Sequence, residues 1–286
     1  MSESISAGTA MGAVTLRVAD LDAMTGYYRD AVALDVLRAE GPRIALGRGG
    51  TEVVVLEHAP ELKHASRHEA GLYHTAILFD TPAALAASVY SVARQHPGSF
   101  TGSSDHFVSE AFYFDDPEGN GVELYWDRDR TEWRWDGSRV EMGVVRLDPS
   151  AYLEQHLTEA GAEEPRIGGA RVGHVHLQVG DIATATDFYV GTVGFDLTAN
   201  FGAQAAFASA GGYHHHIGMN TWHSAGAGRR SAGLGLGRVE IALPDADAQG
   251  ALAERLADHG VATRHDGRTI AFSDPWGTEI LATIPS

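Results

Sequence analysis

Histidines carry the chemistry that is most visible in this sequence. Two of them lie in the segment 173–179, which runs Gly-His-Val-His-Leu-Gln-Val, and three more are consecutive at 214–216. Because strand residues alternate between faces, we expect His174, His176 and Gln178 on one face of a strand and apolar residues on the other. The run 213–219 also has the pattern of a strand. Two histidine-bearing strands in one short segment indicate a metal site.

The composition restricts what else such a site can contain. The 286-residue sequence has no cysteine, which excludes disulfides, iron–sulfur clusters and thiolate zinc sites. Its 38 acidic and 21 basic residues give a net charge of −17, which argues against a nucleic-acid or anionic-membrane partner. No signal-peptide pattern and no apolar run of roughly 20 residues is present. We therefore expect a cytoplasmic protein that acts on small molecules.

An internal repeat supplies the elements that must position these residues. Segments 14–20 and 175–181 share one pattern, a strand that ends in an Asp able to cap a following amphipathic helix. A second pattern, Asp-Pro-x-Gly, occurs at 116–119 and at 274–277, where it predicts a turn into a final strand. The sequence thus predicts four modules, each a strand, a helix and further strands, at about 13–57, 72–127, 172–222 and 237–283. A further helix is predicted at 150–160.

This arrangement resembles the vicinal oxygen chelate superfamily, which includes glyoxalases, fosfomycin-resistance proteins and extradiol dioxygenases. The resemblance rests on segments 111–125, 173–181 and 214–218. Within the superfamily, these segments are most similar to those of a two-domain type I extradiol dioxygenase, such as a catechol 2,3-dioxygenase. It implies an α+β fold of four βαβββ modules in two pseudo-symmetric domains with open-barrel sheets. The domains that it implies are 8–135 and 172–286, with a helix-containing linker at 136–171.

The resemblance also implies the site residues and the cofactor. The implied metal ligands are His74, Glu123 and His174, and the implied metal is Fe(II), with Mn(II) as an alternative. His215 matches the family's base, and Tyr113 matches a tyrosine that donates a hydrogen bond to substrate. An upstream histidine of the family aligns with Ser104 here. The residues expected to line or support the pocket are His106, His176, Phe207, His214 and Trp222.

The repeat gives an independent test of the ligand set. The positions that match His174, His74 and Glu123 in the outer modules are Ala13, Val239 and Leu281, none of which can bind a metal. If the modules paired in sequence order, the ligands would be divided between two incomplete sites. We therefore predict that the second module pairs with the third around one metal, while the first and fourth form a structural counterpart. A site shared between two chains is the alternative.

Two histidines and one carboxylate leave coordination positions open, which suits an Fe(II) that must bind both a catecholate and dioxygen. We therefore expect extradiol cleavage of catechol or a substituted catechol, with a small aromatic diol and O2 as partners, in a homo-oligomeric enzyme. A glyoxalase-type isomerase or lyase is an alternative, although it usually needs a fourth, acidic ligand, and segment 215–220 contains none. A drug-sequestering protein of the same fold is another, but it would not require all three ligands.

Overall fold

The computed structural model of the chain describes residues 4–284, and it contains the four predicted modules. The first comprises β1 (Ala10–Val18), α1 (Leu21–Gly26), β2 (Asp35–Glu40), β3 (Arg43–Arg48) and β4 (Thr51–His58). The second comprises β5 (Gly71–Phe79), α2 (Pro82–Gln95), β6 (Phe100–Asp105), β7 (Ser109–Asp115) and β8 (Gly121–Asp127). The α+β fold class and the βαβββ order are confirmed.

The linker and the second half of the chain follow. The linker contains β9 (Trp135–Asp136), β10 (Arg139–Val140), β11 (Val145–Arg146), α3 (Pro149–His156) and α4 (Glu159–Glu163). The third module comprises β12 (Ala170–Gln178), α5 (Ile182–Thr186), β13 (Asp196–Asn200), β14 (Ala205–Ser209) and β15 (Ile217–Asn220). The fourth comprises β16 (Gly235–Ala242), α6 (Ala246–Asp258), β17 (Arg264–His265), β18 (Thr269–Ser273) and β19 (Glu279–Thr283). Within residues 4–284, no helix is long and apolar enough to cross a membrane.

The modules combine into two large sheets. One sheet has the order β17-β18-β19-β16-β1-β4-β3-β2 and so joins the fourth module to the first. The other has the order β11-β6-β7-β8-β5-β12-β15-β14-β13 and joins the second module to the third through antiparallel β5 and β12. The predicted pairing is confirmed. Each sheet therefore takes one module from either side of the linker, and the division into domains 8–135 and 172–286 stays a prediction.

The apolar faces of the two sheets meet in a shared core. Val14 of β1, Ile77 of β5, Val175 of β12 and Val239 of β16 belong to one cluster of buried side chains. Each lies on a central strand, and strand alternation turns its neighbours to the opposite face. Because Val175 faces this core, the histidines on either side of it face away from the core, as predicted.

The two repeated motifs are parts of one interaction. In each half of the chain, α1 or α5 continues into a π-helical turn, at Tyr27–Ala31 and Asp187–Thr192. The hydroxyl of Tyr28 in the first turn donates to Asp116 Oδ2 at 3.0 Å, and that of Tyr189 in the second donates to Asp274 Oδ2 at 3.1 Å. These buried bonds tie module one to module two and module three to module four. They connect the two sheets that the strand pairing keeps apart.

Three expectations about local structure were wrong or incomplete. Residues 214–216 are not part of a strand, because β15 begins only at Ile217. The helix predicted at 150–160 is two short helices, α3 and α4, and the helical pattern is broken at Leu157. The strand register matches His74 with Arg238, not Val239, because Glu123 lies opposite Ala76 while Leu281 lies opposite Glu240. Arg238 is not a metal ligand either, so the inference from the repeat is unaffected.

Candidate metal centre

Three adjacent central strands bring the implied ligands together. Glu123 on β8 and His174 on β12 lie on either side of Ala76 on β5, each opposite it in the ladder. His74 is two residues from Ala76 and so shares its face. Because Ala76 carries only a methyl group, the longer side chains on both sides can converge above it. Sheet register thus assembles residues that are 100 positions apart in the chain.

A bulge at Gly173 sets the direction of His174. The β5–β12 register shifts between Val172 and His174, which leaves Gly173 as the extra residue. A Cβ atom at Gly173 would lie 1.7 Å from Tyr125 Oη and 3.1 Å from Leu78 Cβ. Only glycine leaves room for the tyrosine hydroxyl there.

The three side chains converge on one carboxylate oxygen. His74 Nε2 lies 2.8 Å and His174 Nε2 3.1 Å from Glu123 Oε2. One ligand atom from each residue can be chosen so that all lie within 4.8 Å of one another. The residues are almost fully buried, at 6%, 2% and 2% exposure for His74, Glu123 and His174. Such convergence of two imidazoles and a carboxylate is the donor set of a non-haem divalent metal site.

The protonation states also suit a divalent cation. Burial lowers the pKa of His174 to about 4 even though the Glu123 carboxylate acts in the opposite direction. Burial alone would raise the pKa of Glu123, but the attraction of His174 and His74 holds it well below its usual range. At neutral pH the site therefore presents a neutral imidazole and an ionised carboxylate, which are the forms that bind metal.

One atom tests whether these residues fit a metal. His74 Nε2 is buried and lies 2.8 Å from Glu123 Oε2, yet it makes no hydrogen bond within the described part of the chain. A buried polar nitrogen without a hydrogen bond is costly, about 1–3 kcal/mol. A cation between the two groups would use both lone pairs. The residues present therefore fit a divalent metal ion.

The three consecutive histidines have three different environments. His215 lines the cavity, with its ring centroid 4.0 Å from that of His174. His214 lies behind it, and their Nδ1 atoms are 2.7 Å apart. The Nδ1 atom of His216 instead accepts a hydrogen bond from the backbone amide of Ala210 at 3.2 Å. His215 is thus placed toward the site, as the resemblance implies, while His216 has a structural hydrogen bond.

Burial and the neighbouring histidines keep the His215 ring neutral. Burial lowers its pKa well below the ordinary value, and the neighbouring His174 and His214 lower it further. A neutral imidazole has one nitrogen with a free lone pair, so it can accept a proton.

Tyr113 and His106 lie together beside Glu123. Tyr113 on β7 is opposite Glu123 on β8. His106 Nδ1 lies 2.6 Å from the Gly143 carbonyl, to which it must donate, so its Nε2 accepts from the Tyr113 hydroxyl at 2.7 Å. Burial, and then the charge of Glu123, raises the pKa of Tyr113 well above its ordinary value, so this phenol keeps its proton. Ser104 aligns with the family's histidine, but it is His106 that contacts the tyrosine.

Four of the residues that the sequence names for the pocket, His106, His176, Phe207 and Trp222, line one cavity with the implied metal ligands. The cavity has a volume of about 1280 Å³. The ring centroids of Phe207 and Trp222 lie 5.5 and 5.4 Å from that of His176. His176 Nε2 is buried and has no hydrogen bond with any residue in 4–284. His214 does not line this cavity but lies behind His215 in a supporting position, and its role stays a prediction.

A pseudo-two-fold axis relates β5 and β8 to β12 and β15, and the two halves of the site differ at the position of Glu123. The ladder pairs His176 with His74 and Ala76 with His174, so His74 and His174 are equivalent. Glu123 lies opposite Ala76, and Gly218 lies opposite the equivalent residue, His176. A Cβ atom at Gly218 would lie only 2.9 Å from the His176 ring. The position that could have supplied a fourth ligand therefore has no side chain and no room for one.

Sequence reasoning missed residues that surround the histidine pair. Tyr125, Asp127 and Tyr213 form a hydrogen-bonded group against His214. A signal was present, because Tyr125 and Asp127 follow Glu123 at intervals of two along a strand and so share its face. Tyr213 had no such signal, since the turn before β15 brings it there.

Comparison with known proteins agrees with this fold. A Bacillus subtilis (strain 168) catechol-2,3-dioxygenase is 33% identical over 278 residues, which is 95% of this chain and 96% of that protein. A solved structure from the same species, described as a candidate dioxygenase, has a TM-score of 0.65 at 14% identity and covers 96% of this chain and 85% of its own. Zea mays glyoxalase I has a TM-score of 0.58 at 17% identity, over 97% of this chain and 92% of its own.

The family assignment rests on the sequence match to both halves of the chain. The model of one superfamily matches residues 10–124 and again residues 171–281. These two segments contain the duplicated βαβββ modules that form both sheets. The chain belongs to the Glyoxalase/Bleomycin resistance protein/Dioxygenase superfamily.

Proposed function

We propose that this protein is an Fe(II)-dependent extradiol dioxygenase that cleaves catechol or a substituted catechol. The observation that carries the proposal is the asymmetric ligand set. His74, His174 and Glu123 converge, while the position equivalent to Glu123 is Gly218. Three ligands on one side leave neighbouring coordination positions for a bidentate diol and for dioxygen. The similar Bacillus subtilis catechol-2,3-dioxygenase supports the same activity.

The protein's own residues supply the proton chemistry around the metal. When bound, Fe(II) provides a Lewis acid that lowers the pKa of the diol hydroxyls and the redox chemistry for dioxygen. His215 accepts a substrate proton from the cavity side. Tyr113 keeps its proton and can redirect its hydroxyl from His106 to the substrate, because both lie at the cavity wall. General acid and base groups of this kind contribute about 10²–10⁴-fold each.

The aromatic residues on the other side of the cavity have a different role. Phe207 and Tyr113 are equivalent under the pseudo-two-fold axis, since Phe207 lies opposite Gly218 as Tyr113 lies opposite Glu123. Where one half has a hydrogen-bond donor, the other has an apolar ring. Such a ring can hold the face of an aromatic substrate and exclude water.

A glyoxalase-type isomerase is the second candidate, because Zea mays glyoxalase I shares the fold. A fourth carboxylate ligand on β15 would be expected for that activity. Gly218 and the His176 ring occupy its place. This geometry favours the dioxygenase.

The proposal is tested by loading the purified protein with Fe(II) without oxygen, adding catechol, and measuring oxygen uptake and ring-opened product. We expect one oxygen consumed per catechol and a yellow product. His174→Ala, measured in parallel, should show neither. Oxygen uptake that His174→Ala retains would show that the reaction does not use this centre.

If the loaded protein shows no oxygen uptake, the metal content of the same sample distinguishes two explanations. One metal per chain without oxygen uptake on a panel of catechols would overturn the dioxygenase proposal in favour of an isomerase. No bound metal at all would favour a binding protein.

A further inference from the structure

A buried chain of hydrogen bonds extends from His215 away from the cavity. His215 Nδ1 lies 2.7 Å from His214 Nδ1, and His214 Nε2 lies 2.8 Å from Asp127 Oδ1. The His214 side chain is fully buried, and that of Asp127 is 17% exposed. The chain therefore connects the cavity wall to a carboxylate at the end of β8.

The direction of each hydrogen bond follows from what each atom can do. An ionised carboxylate only accepts, so the proton of the His214–Asp127 bond belongs to His214 Nε2. A neutral imidazole has one N–H, so His214 Nδ1 accepts and His215 Nδ1 donates. The remaining nitrogen, His215 Nε2, then has no proton. A doubly protonated His214 would reverse this order, and nitrogen-15 spectra distinguish the two because that form carries a proton on both ring nitrogens.

Two tyrosines fix the carboxylate at the far end. The Tyr213 hydroxyl donates to Asp127 Oδ2 at 2.8 Å, and the Tyr125 hydroxyl lies 2.7 Å from that of Tyr213, to which it must donate. Both oxygens of Asp127 are therefore engaged. The Trp133 ring, from the segment that follows β8, packs against His214, with the ring centroids 5.2 Å apart. Rotation of either group would break at least one bond.

We propose that Asp127 is a positioning residue that, through His214, holds His215 in the tautomer with its proton on Nδ1. His215 then presents an unprotonated Nε2 to the cavity. The role of that nitrogen rests on the proposed function: a substrate hydroxyl loses its proton, an Nε2–H bond forms, and the Nδ1–H remains donated to His214. The hydrogen-bond order itself is a property of the protein without substrate.

Strand β8 connects this chain of hydrogen bonds to the candidate metal centre. Glu123, Tyr125 and Asp127 lie on the same face of the strand, two residues apart. One strand therefore supplies both an implied metal ligand and the carboxylate that positions His215 through His214. A displacement of β8 would move both together. The spacing of two residues thus keeps the base in register with the metal.

Tautomers can be measured directly in the metal-free protein. Nitrogen-15 spectra of histidine-labelled protein distinguish Nδ1–H from Nε2–H, and His214→Gln and His215→Gln assign the two rings. We expect a proton on Nε2 of His214 and on Nδ1 of His215. A proton on His215 Nε2 in the wild-type protein would overturn the proposal.

Two variants separate positioning from packing. Asp127→Ala removes the anchor, and we expect the Nε2–H tautomer of His215 to appear in its spectrum. In the Fe(II)-loaded protein, kcat should fall by about 10–100-fold while KM changes little. Tyr213→Phe removes the other hydrogen bond to the same carboxylate and should keep the wild-type tautomers. Unchanged tautomers in Asp127→Ala would contradict the proposal even if kcat falls.

Failure of this inference can be distinguished from failure of the proposed function. The expected tautomers in a protein that shows no oxygen uptake would overturn the dioxygenase and support the positioning by Asp127. Oxygen uptake in a protein with the reversed tautomers would overturn the positioning and support the dioxygenase. Asp136→Ala, at an exposed carboxylate of β9, controls for loss of charge.

Discussion

At the scale of single residues, Glu123 determines whether the centre can exist. Its carboxylate oxygen is the point on which His74 and His174 converge. A buried carboxylate is unfavourable unless a cation or hydrogen-bond donors compensate its charge. We therefore expect metal binding to depend on this side chain.

Replacement of Glu123 by glutamine tests this role. The amide keeps the shape but loses the charge, so we expect Glu123→Gln to fold and to lose most bound metal. Metal content is measured after Fe(II) or Mn(II) loading and desalting. Glu154→Gln, at an exposed position of α3, is the matched control and should bind metal as the wild type does. Full occupancy in Glu123→Gln would refute the ligand set.

At the scale of elements, the bulge in β12 matters as much as the ligand that follows it. Without an extra residue at Gly173, a regular ladder would change which face His174 occupies. The bulge also creates the space that the Tyr125 hydroxyl fills. The strand therefore aims a ligand and accommodates the network behind it through one glycine.

Gly173→Ala is expected to damage both features. The added methyl group would overlap Tyr125, and overpacking of this kind costs about 1–3 kcal/mol of unfolding free energy. Because His174 is adjacent, metal affinity should fall as well. Denaturant unfolding and metal titration measure the two effects.

A second glycine provides the control. Gly26 lies in a helical conformation, and a Cβ atom there would meet nothing within 4 Å. Gly26→Ala should leave metal binding intact and change stability by about 0.5–1 kcal/mol in the stabilising direction. If the two variants behave alike, the close approach of Tyr125 is not what requires glycine at 173.

At the scale of the whole molecule, the two sheets have the same arrangement of strands but carry different side chains. We call the sheet that contains β5 and β12 the inner sheet, and the sheet that contains β1 and β16 the outer sheet. Where the inner sheet has His74, the outer sheet has Arg238, which donates to Glu57 Oε1 at 2.7 Å. Where the inner sheet has Ala76, the outer sheet has Glu240, and Leu281 replaces Glu123. An ion pair and the Glu240 carboxylate thus occupy the face that the candidate metal centre occupies in the other sheet.

Glu240 makes the stability of the outer sheet depend on pH. Burial, and then the charge of Glu52, raises its pKa to about 6. The native state therefore holds this proton more tightly than the unfolded chain, whose glutamate pKa is about 4.3. The free energy of unfolding falls as the pH rises through this window, because the native state must give up the proton.

Glu240→Gln removes this penalty. At pH 8 the variant should be more stable than the wild type by up to about 2 kcal/mol, and the difference should shrink as the pH falls to about 4.5. Unfolding is measured at both pH values, with Glu254→Gln on exposed α6 as control, and metal content should not change. A difference that is independent of pH would show that the charge of Glu240 is not its cause.

The sequence by itself determined the modules and the α+β class, while the resemblance to the superfamily implied the three residues that the structure brings together. The modules could be predicted because strand alternation, helix caps and turn motifs are local patterns, and because the same patterns occur in both halves of the sequence. It also showed that the first and fourth modules have no metal-binding side chain at the positions that match the three implied ligands, which was enough to predict the pairing of β5 with β12.

Only the tertiary structure decided how the parts of the site cooperate. The exclusion of a fourth ligand depends on Gly218 and the ring of His176 across two strands. The hydrogen-bonded chain from Asp127 to His215 depends on a turn, a strand end and the segment after β8 meeting at one place. Such contacts join residues far apart in sequence, and their geometry is set by register and packing, which no local pattern contains.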